Sequence, residues 1–381
     1  MPRSAQLYTK LLDDLRQQVS ESFFSGERLP PQRALANMHG VGQSTVHQAL
    51  SALAREGLVR AQPQVGWIRT GSKVNAGGVG KKRLRALSIG AITRSNVDEV
   101  AEDSLGMYSA LAGEALRRGH QFTWIPNSRY HHPTPGRGRP ELNRIGWTRF
   151  DAAVLVDVQD PVTLSDPLLR RRPVISVDYD ATAFGISSVC FDDREAGRKS
   201  ARHLLDLGHR NFAATDESDD PGFPAEMTWL ARQQGFEEEI RRQAASILPE
   251  WRLLTPRRDS GKFVKPWCQR FAQALRANRP RPTGLFFVPI DSVALIEELF
   301  LQGIRVPRDI SIITAHLTQP RVANHSLRVT HVHLNLRILM HKVIEAIEEL
   351  ATHKQHQRRP RLCLAPVNLE PGDTTSAPNP G

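Results

Sequence analysis

The sequence predicts an α/β protein in two parts: a small three-helix unit with a two-stranded wing, then a large two-lobed unit of mainly parallel sheets. Three observations predict it. Apolar residues recur every three to four positions up to Gly57, and two short β-like runs follow. From Leu84 onward, short apolar strands alternate with amphipathic helices. A length of 381 residues suits one small and one large domain, and 40% hydrophobic with 24% charged residues supplies an ordinary globular core.

The first helix is expected from Leu7 to Phe24, where Tyr8, Leu11, Leu12, Leu15, Val19 and Phe23 share one face and Gly26 ends the run. "LPPQRALANMHG" then places a Pro pair at a helix's first turn, Leu35 and Met38 inward, and Gly40 as a stop. In "GVGQSTVHQALSALAREGLV", Val46, Ala49, Leu50 and Leu53 line a third helix that Gly57 breaks. "LVRA" and "GWIRT", separated by "QPQV", read as a hairpin. These elements make a domain over residues 1–70. A Gly- and Lys-rich segment at 71–83 lacks periodicity, as a flexible linker does.

The large unit is expected over 84–375. Its strands include "RALSIGAI", "QFTWIP", "DAAVLVDV", "PVISVDY", "NFAAT", "TGLFFVP" and "ISIIT". Its helices are expected at Leu105–Arg118, Glu195–Leu207, Trp229–Arg242, Pro266–Ala277, Val293–Gln302 and Leu336–Ala351. The segment from Asn127 to Arg149, dense in Pro, Gly and Arg, reads as a long loop, and residues 376–381 as a disordered tail.

The formal charge is +11, and residues 1–83 hold twelve Lys and Arg against five acids. Such a concentration favours a phosphate-bearing partner, although a solvated basic face gives the same count. Cys190, Cys268 and Cys363 lie far apart with no CxxC, which argues against a disulfide framework and a cysteine zinc site. "MPRSAQLYTKLLDDL" lacks a signal-peptide apolar core, and no run has membrane-spanning length, so a cytoplasmic protein is expected.

The paired glycines Gly40 and Gly42 imitate a phosphate cradle. A dinucleotide fingerprint, however, needs a glycine where Thr45 stands and a strand where the pattern is helical. "NAGGVGKK" likewise lacks a P-loop's first glycine and its Ser/Thr. A helix-turn-helix remains, with Gln43, Ser44, His47, Gln48 and Ser51 outward as hydrogen-bonding groups suited to the major groove. An ordinary amphipathic helix presents the same polar face.

The order of landmarks adds to this. The Leu-Pro pair, Arg33, Leu35-Ala36, Gly40-Val41, Thr45-Val46, Ala49-Leu50, Leu53, Glu56-Gly57-Leu58-Val59 and Gly66 resemble the winged-helix domain of the GntR family. The resemblance implies DNA contacts from Arg33, Thr45 and the recognition helix, with the wing tip at Gln64 and Gly66 reaching the minor groove. The chain departs from the family pattern at Gly42-Gln43, where Ser-Arg is usual, at His47, where Arg is usual, and at Gln64, where Gly is usual.

The large unit resembles the sensor of the LacI/GalR family, itself similar to periplasmic sugar-binding proteins. The motifs are "FDDREAGRKSARHLLDLGHRNFAAT", "ARQQGFEEEI" and "GLFFVPIDSVALIEELFLQGIRVPRDISII". The combination resembles the arabinose-repressor type of architecture. It implies an effector site containing Arg232 and Asp291, with His316 where an aspartate is usual. Arg232 and Asp291 could equally cap helices or form surface pairs.

His131-His132, His331 with His333, and His353 with His356 raise a metal reading. His331 and His333, two apart on a strand, share a face, but no carboxylate or thiol pattern completes a shell, so no metal is expected. No nucleophile elbow accompanies any Ser/His/Asp grouping, so no enzyme and no cofactor are expected. The expectation is a ligand-responsive regulator, a repressor of carbohydrate-related genes. It binds a palindromic double-stranded DNA operator as a homodimer, with a sugar or related polar metabolite as effector and no membrane partner. The alternatives are an effector-independent DNA binder whose sensor only dimerises, and an α/β enzyme with a basic accessory domain.

Overall fold

A computed structural model describes residues 8–9, 11–16, 19, 28–63, 65–70, 85–93, 102–125, 149–156, 158–217, 227–255, 261–277, 280–287, 292–352 and 359–379. The expectations for the linker at 71–83, the loop at 127–148, the frayed residues 380–381, Gln64, Asp291, His131, His132, His353 and His356 lie outside the described residues, as does the Met38 side chain. Contacts divide the chain into Met1–Leu84 and Arg85–Gly381.

In the amino-terminal unit, residues 8–9, 11–16 and 19 are helical, followed by α1 (Gln32–His39) and α2 (Gln43–Arg55). Leu11, Leu15 and Val19 pack with Leu35, Leu50 and Leu53 in one core, so the helical stripe read from sequence is the buried face. Arg16 ties the first helix to the end of α2 by a two-pronged contact with Glu56, at 2.9 and 2.8 Å. Gly40 ends α1 in the left-handed conformation at φ +62°, and the Val41 N–H returns to the Ala36 carbonyl. Strands β1 (Val59–Gln62) and β2 (Gly66–Arg69) pair antiparallel, and the Leu29 N–H donates to the Trp67 carbonyl beside them.

The large unit contains two six-stranded sheets. Strands β3 (Ser88–Thr93), β4 (Gln121–Ile125), β5 (Ala152–Val156), β6 (Val174–Val177) and β7 (Ser187–Phe191) form the first lobe. The second holds β8 (Asn211–Glu217), β9 (Ser246–Thr255), β10 (Gly284–Phe287), β11 (Ser311–His316) and, beyond the short hairpin β12 (Arg321–Val322) and β13 (Leu327–Arg328), β14 (Thr330–Leu334). The chain then returns β15 (Leu362–Ala365) to the edge of the first sheet and β16 (Val367–Glu370) to the edge of the second. Every pairing in the two sheets is parallel except β14 with β16.

Three crossings join the lobes, after Phe191, after Leu334 and after Ala365, and each leaves the carboxyl end of a parallel strand. The carboxyl ends of both sheets therefore meet at one boundary, the place where open α/β sheets hold ligands. The Asp192 N–H donates to the Ala365 carbonyl, fastening the first crossing to the third. Helices α3 (Asp193–Asp206) and α4 (Met227–Arg242) cover the second sheet at an unusually close approach. A Cβ on Gly197 would lie 1.8 Å from the Arg232 carbonyl, and one on Gly235 1.9 Å from the Arg194 carbonyl. Only hydrogen fits there.

The frayed ending expected from the sequence does not begin at Ser376, which is tied to the second lobe. Thr374 is fully buried, and the Ser376 carbonyl accepts from Ser311 Oγ and lies 2.8 Å from His209 Nε2. These bonds satisfy backbone groups that a loose tail would leave to water.

Candidate functional site

The first candidate surface is the outer face of α2. Val46, Ala49, Leu50 and Leu53 are fully buried, so the intervening Gln43, Ser44, His47 and Gln48 are exposed, with Thr45 and Ser51 half-buried. No side chain caps the first turn of α2, whose N-cap is Gly42. Arg33 is exposed on α1. The wing places Gly66 in the open at φ +108°, a conformation that favours glycine.

Three residues that the sequence reading did not single out help to shape this surface. The Gln32 amide donates to His47 Nδ1 at 3.1 Å, and the edge of the His47 ring meets Trp67, with centroids 6.1 Å apart. With Nδ1 accepting, the ring proton sits on Nε2. Arg28 is exposed, bridges to Ile68 and brings its guanidinium within 3.6 Å of a Cβ position on Gly66. Position is the only sequence signal for these contacts: Gln32 opens α1, and Trp67 sits just past the hairpin turn.

The second candidate region is the boundary between the lobes. Arg232 is only 7% exposed, and its Nε donates to Asp193 Oδ1 at 2.6 Å. Asp193 opens α3 immediately after the first crossing, and burial pushes its carboxyl up while the guanidinium pulls it back. Its neighbour Asp192 turns away to cap the Glu195 N–H at 3.0 Å. Arg232 is thus neither a surface pair nor an open arm. His316 ends β11 half-buried, with Nδ1 turned back onto Thr318, 3.0 Å from its carbonyl oxygen and 3.2 Å from its backbone nitrogen. The structure does not bring Arg232 and His316 together through any described contact, and Asp291 lies outside the described residues.

The strand pairings also assemble a group that spacing alone did not complete. His331 stands directly opposite Glu370 on β16, and His333 is two residues further along the same face. One ligand atom from each of the three lies within 4.8 Å of the other two. The absent carboxylate of the sequence reading comes from a residue 37 positions past His333 in the chain.

Residues 4–68 match the model of bacterial regulatory proteins of the gntR family, and residues 201–375 match the periplasmic binding protein-like domain. The chain joins a gntR-type winged helix to a periplasmic-binding-protein-like domain. The gntR domain contains the exposed face of α2, and the matched part of the periplasmic-binding-protein-like domain contains Arg232 and His316.

The arabinose metabolism transcriptional repressor of Geobacillus stearothermophilus is 24% identical over 320 residues, covering 82% of this chain and 81% of the relative. The HTH-type transcriptional repressor PurR of Aliivibrio fischeri is 27% identical over 191 residues, or 49% of this chain. The match spans about half the length of that repressor. Among solved structures, the lac repressor dimer bound to operator and the anti-inducer ONPF aligns with a TM-score of 0.59 at 18% identity. That alignment covers 77% of this chain and 95% of the other. A LacI family transcriptional regulator from Mycobacterium smegmatis aligns with a TM-score of 0.57 at 20% identity, covering 77% of this chain and all of its own. These likenesses place the two-lobed fold. No helix among the described residues is long and apolar enough to cross a membrane.

Proposed function

We propose that the protein is a DNA-binding transcription regulator, a repressor that reads a palindromic operator as a homodimer in the cytoplasm. The observation that carries this reading is the exposed polar opening of α2 on a fully buried apolar face. Such a helix enters the major groove with its first turns against base edges. His47, with its proton on Nε2, offers a donor to guanine O6 or N7, and Gln48 and Gln43 offer amide pairs to adenine. The uncapped N–H groups of α2, with Arg33 and Arg28, suit backbone phosphates. One winged helix buries too little surface for tight specific binding, so two copies on two half-sites are expected. The relatives are named as transcriptional repressors, which supports repression and a non-enzymatic role.

The boundary between the lobes is the proposed effector site, with Arg232, Asp291 and His316 as its polar groups and a sugar or related polar metabolite as its ligand. The repressor of arabinose metabolism among the relatives supports a carbohydrate. A ligand that binds one arrangement of the lobes more tightly shifts DNA affinity by the same factor that DNA shifts ligand affinity.

Selecting genomic fragments on the full-length protein tests the reading. It predicts a recurrent inverted repeat, and recovery of unrelated sequences would contradict it. One observation favours a second reading, an effector-independent binder: the Arg232 guanidinium is already engaged by Asp193 in a buried pair. A thermal-shift panel of mono- and disaccharides separates the two. A stabilising sugar supports the sensor, and none across a broad panel supports the scaffold.

A further inference from the structure

We propose that His331, His333 and Glu370 form a binding site for a divalent transition metal of the zinc class, at the edge of the second sheet beside the lobe boundary. The placement follows from the backbone before any side-chain geometry. Residues two apart on β14 share a face, and antiparallel register sets Glu370 directly across from His331 on that same face. Val329 and Ile312 on this face belong to the core that contains Trp267 and Leu295, whereas Leu369 packs in the core on the opposite side. The three ligands thus project together toward one side of the sheet.

Distances agree with the register. His331 Nε2 lies 3.7 Å from Glu370 Oε2, and His333 Nδ1 lies 3.9 Å from Glu370 Oε1. Ligands about 2.1 Å from a tetrahedral ion stand roughly 3.4 Å apart, so a small closure of the group seats one. His331 is fully buried, and neither of its ring nitrogens makes a hydrogen bond of normal geometry; its polar neighbours are Glu370, His333, His316 and the Val329 backbone. His333 Nδ1 is likewise buried without a hydrogen bond. An imidazole always carries at least one N–H, and buried donors are almost always paired. A metal ion takes the lone pair of one nitrogen on each ring, His331 Nε2 and His333 Nδ1, and the remaining His331 N–H is left to the neighbouring Val329 backbone.

Two imidazoles and one carboxylate are borderline donors, suited to zinc, cobalt or nickel rather than to calcium or magnesium. Three protein ligands leave a fourth position for water or for His316, the register partner of His333 on β11. The bound ion fastens edge strand β16, which follows the third crossing, to β14, which precedes the second.

The test uses the full-length protein, stripped by a chelator and then titrated calorimetrically with Zn²⁺, with circular dichroism as the folding check. The expected result is one saturable ion per chain and a raised Tm. Glu370→Gln and His333→Ala, at partly exposed positions, are each expected to weaken binding about tenfold or more, and the double variant to bind one ion fewer. Cobalt loading gives a second readout independent of the variants: intense tetrahedral absorption bands are expected. No saturable ion, unchanged stoichiometry in the folded double variant, or only weak octahedral cobalt bands would each overturn the site.

Discussion

In the proposed DNA interface, Arg33 and His47 are expected to play different parts. Arg33 is exposed, and its charge suits a phosphate, so Arg33→Ala is expected to weaken binding to every DNA sequence and lower the salt slope by about one. His47 is held by Gln32 and faces outward, so His47→Ala is expected to relax preference at one operator position by about 1–3 kcal/mol. Binding titrations at several salt concentrations separate the two effects; a sequence-specific loss from Arg33→Ala would assign it to base readout instead. In the large unit the decisive residues are glycines. Gly197→Ala would drive a Cβ into the Arg232 carbonyl, and a loss of roughly 3 kcal/mol or more is expected in denaturant unfolding. Wild-type stability in that variant would mean that α3 and α4 do not approach so closely. Sequence reading marked Gly235 as part of a pattern, and the close approach gives its physical reason.

At the scale of elements, buried pairs hold the crossings. Asp193→Ala removes the partner of a buried guanidinium, and about 3–5 kcal/mol of stability is expected to be lost. The carboxyl-terminal segment depends on two histidines: His203 bonds Thr375 Oγ1 at 2.8 Å, and His209 lies 2.8 Å from the Ser376 carbonyl. Burial lowers both below the ordinary value of 6.5. The unfolded chain then binds protons first as pH falls through 6.5, so their contribution is present above that range and is lost below it. The hydrogen-exchange protection factors at residues 371–379 are expected to fall from pH 7 to pH 5; unchanged protection factors would contradict the linkage. The three helices of the small unit and most strands of the large one were legible because each buries one face with a clean period. Strands β7, β9, β15 and β16 were not; β7 is an interior strand, but it has only five residues and opens on two serines. Strands β9, β15 and β16 lie at sheet edges with half or more of their described residues partly or fully exposed, β15 is an apolar run of only four residues, and Pro366 splits it from β16. The pairs Asp193 with Arg232 and His331 with Glu370 were also hidden, because only the fold brings residues 39 positions apart together.

At the scale of the whole molecule, a basic winged helix is joined to a two-lobed domain whose sheet ends meet at a single boundary. Arg118 spans the ends of the first lobe's chain, pairing with Glu114 at 3.0 Å and with Glu348 at 2.6 Å, so helix Leu336–Thr352 is anchored to that lobe after the second crossing. Each lobe is therefore built from chain on both sides of the crossings, and a shift of one lobe reaches every crossing at once. The proposed role of this scaffold is sequence-specific DNA binding through α2. The most direct measurement is the affinity of the full-length protein for its selected inverted repeat and for a scrambled duplex of equal length, at one stated salt concentration. A preference of about a thousandfold or more, largely abolished by replacing His47 and Gln48 together, is the predicted result. Equal affinity for both duplexes would contradict it.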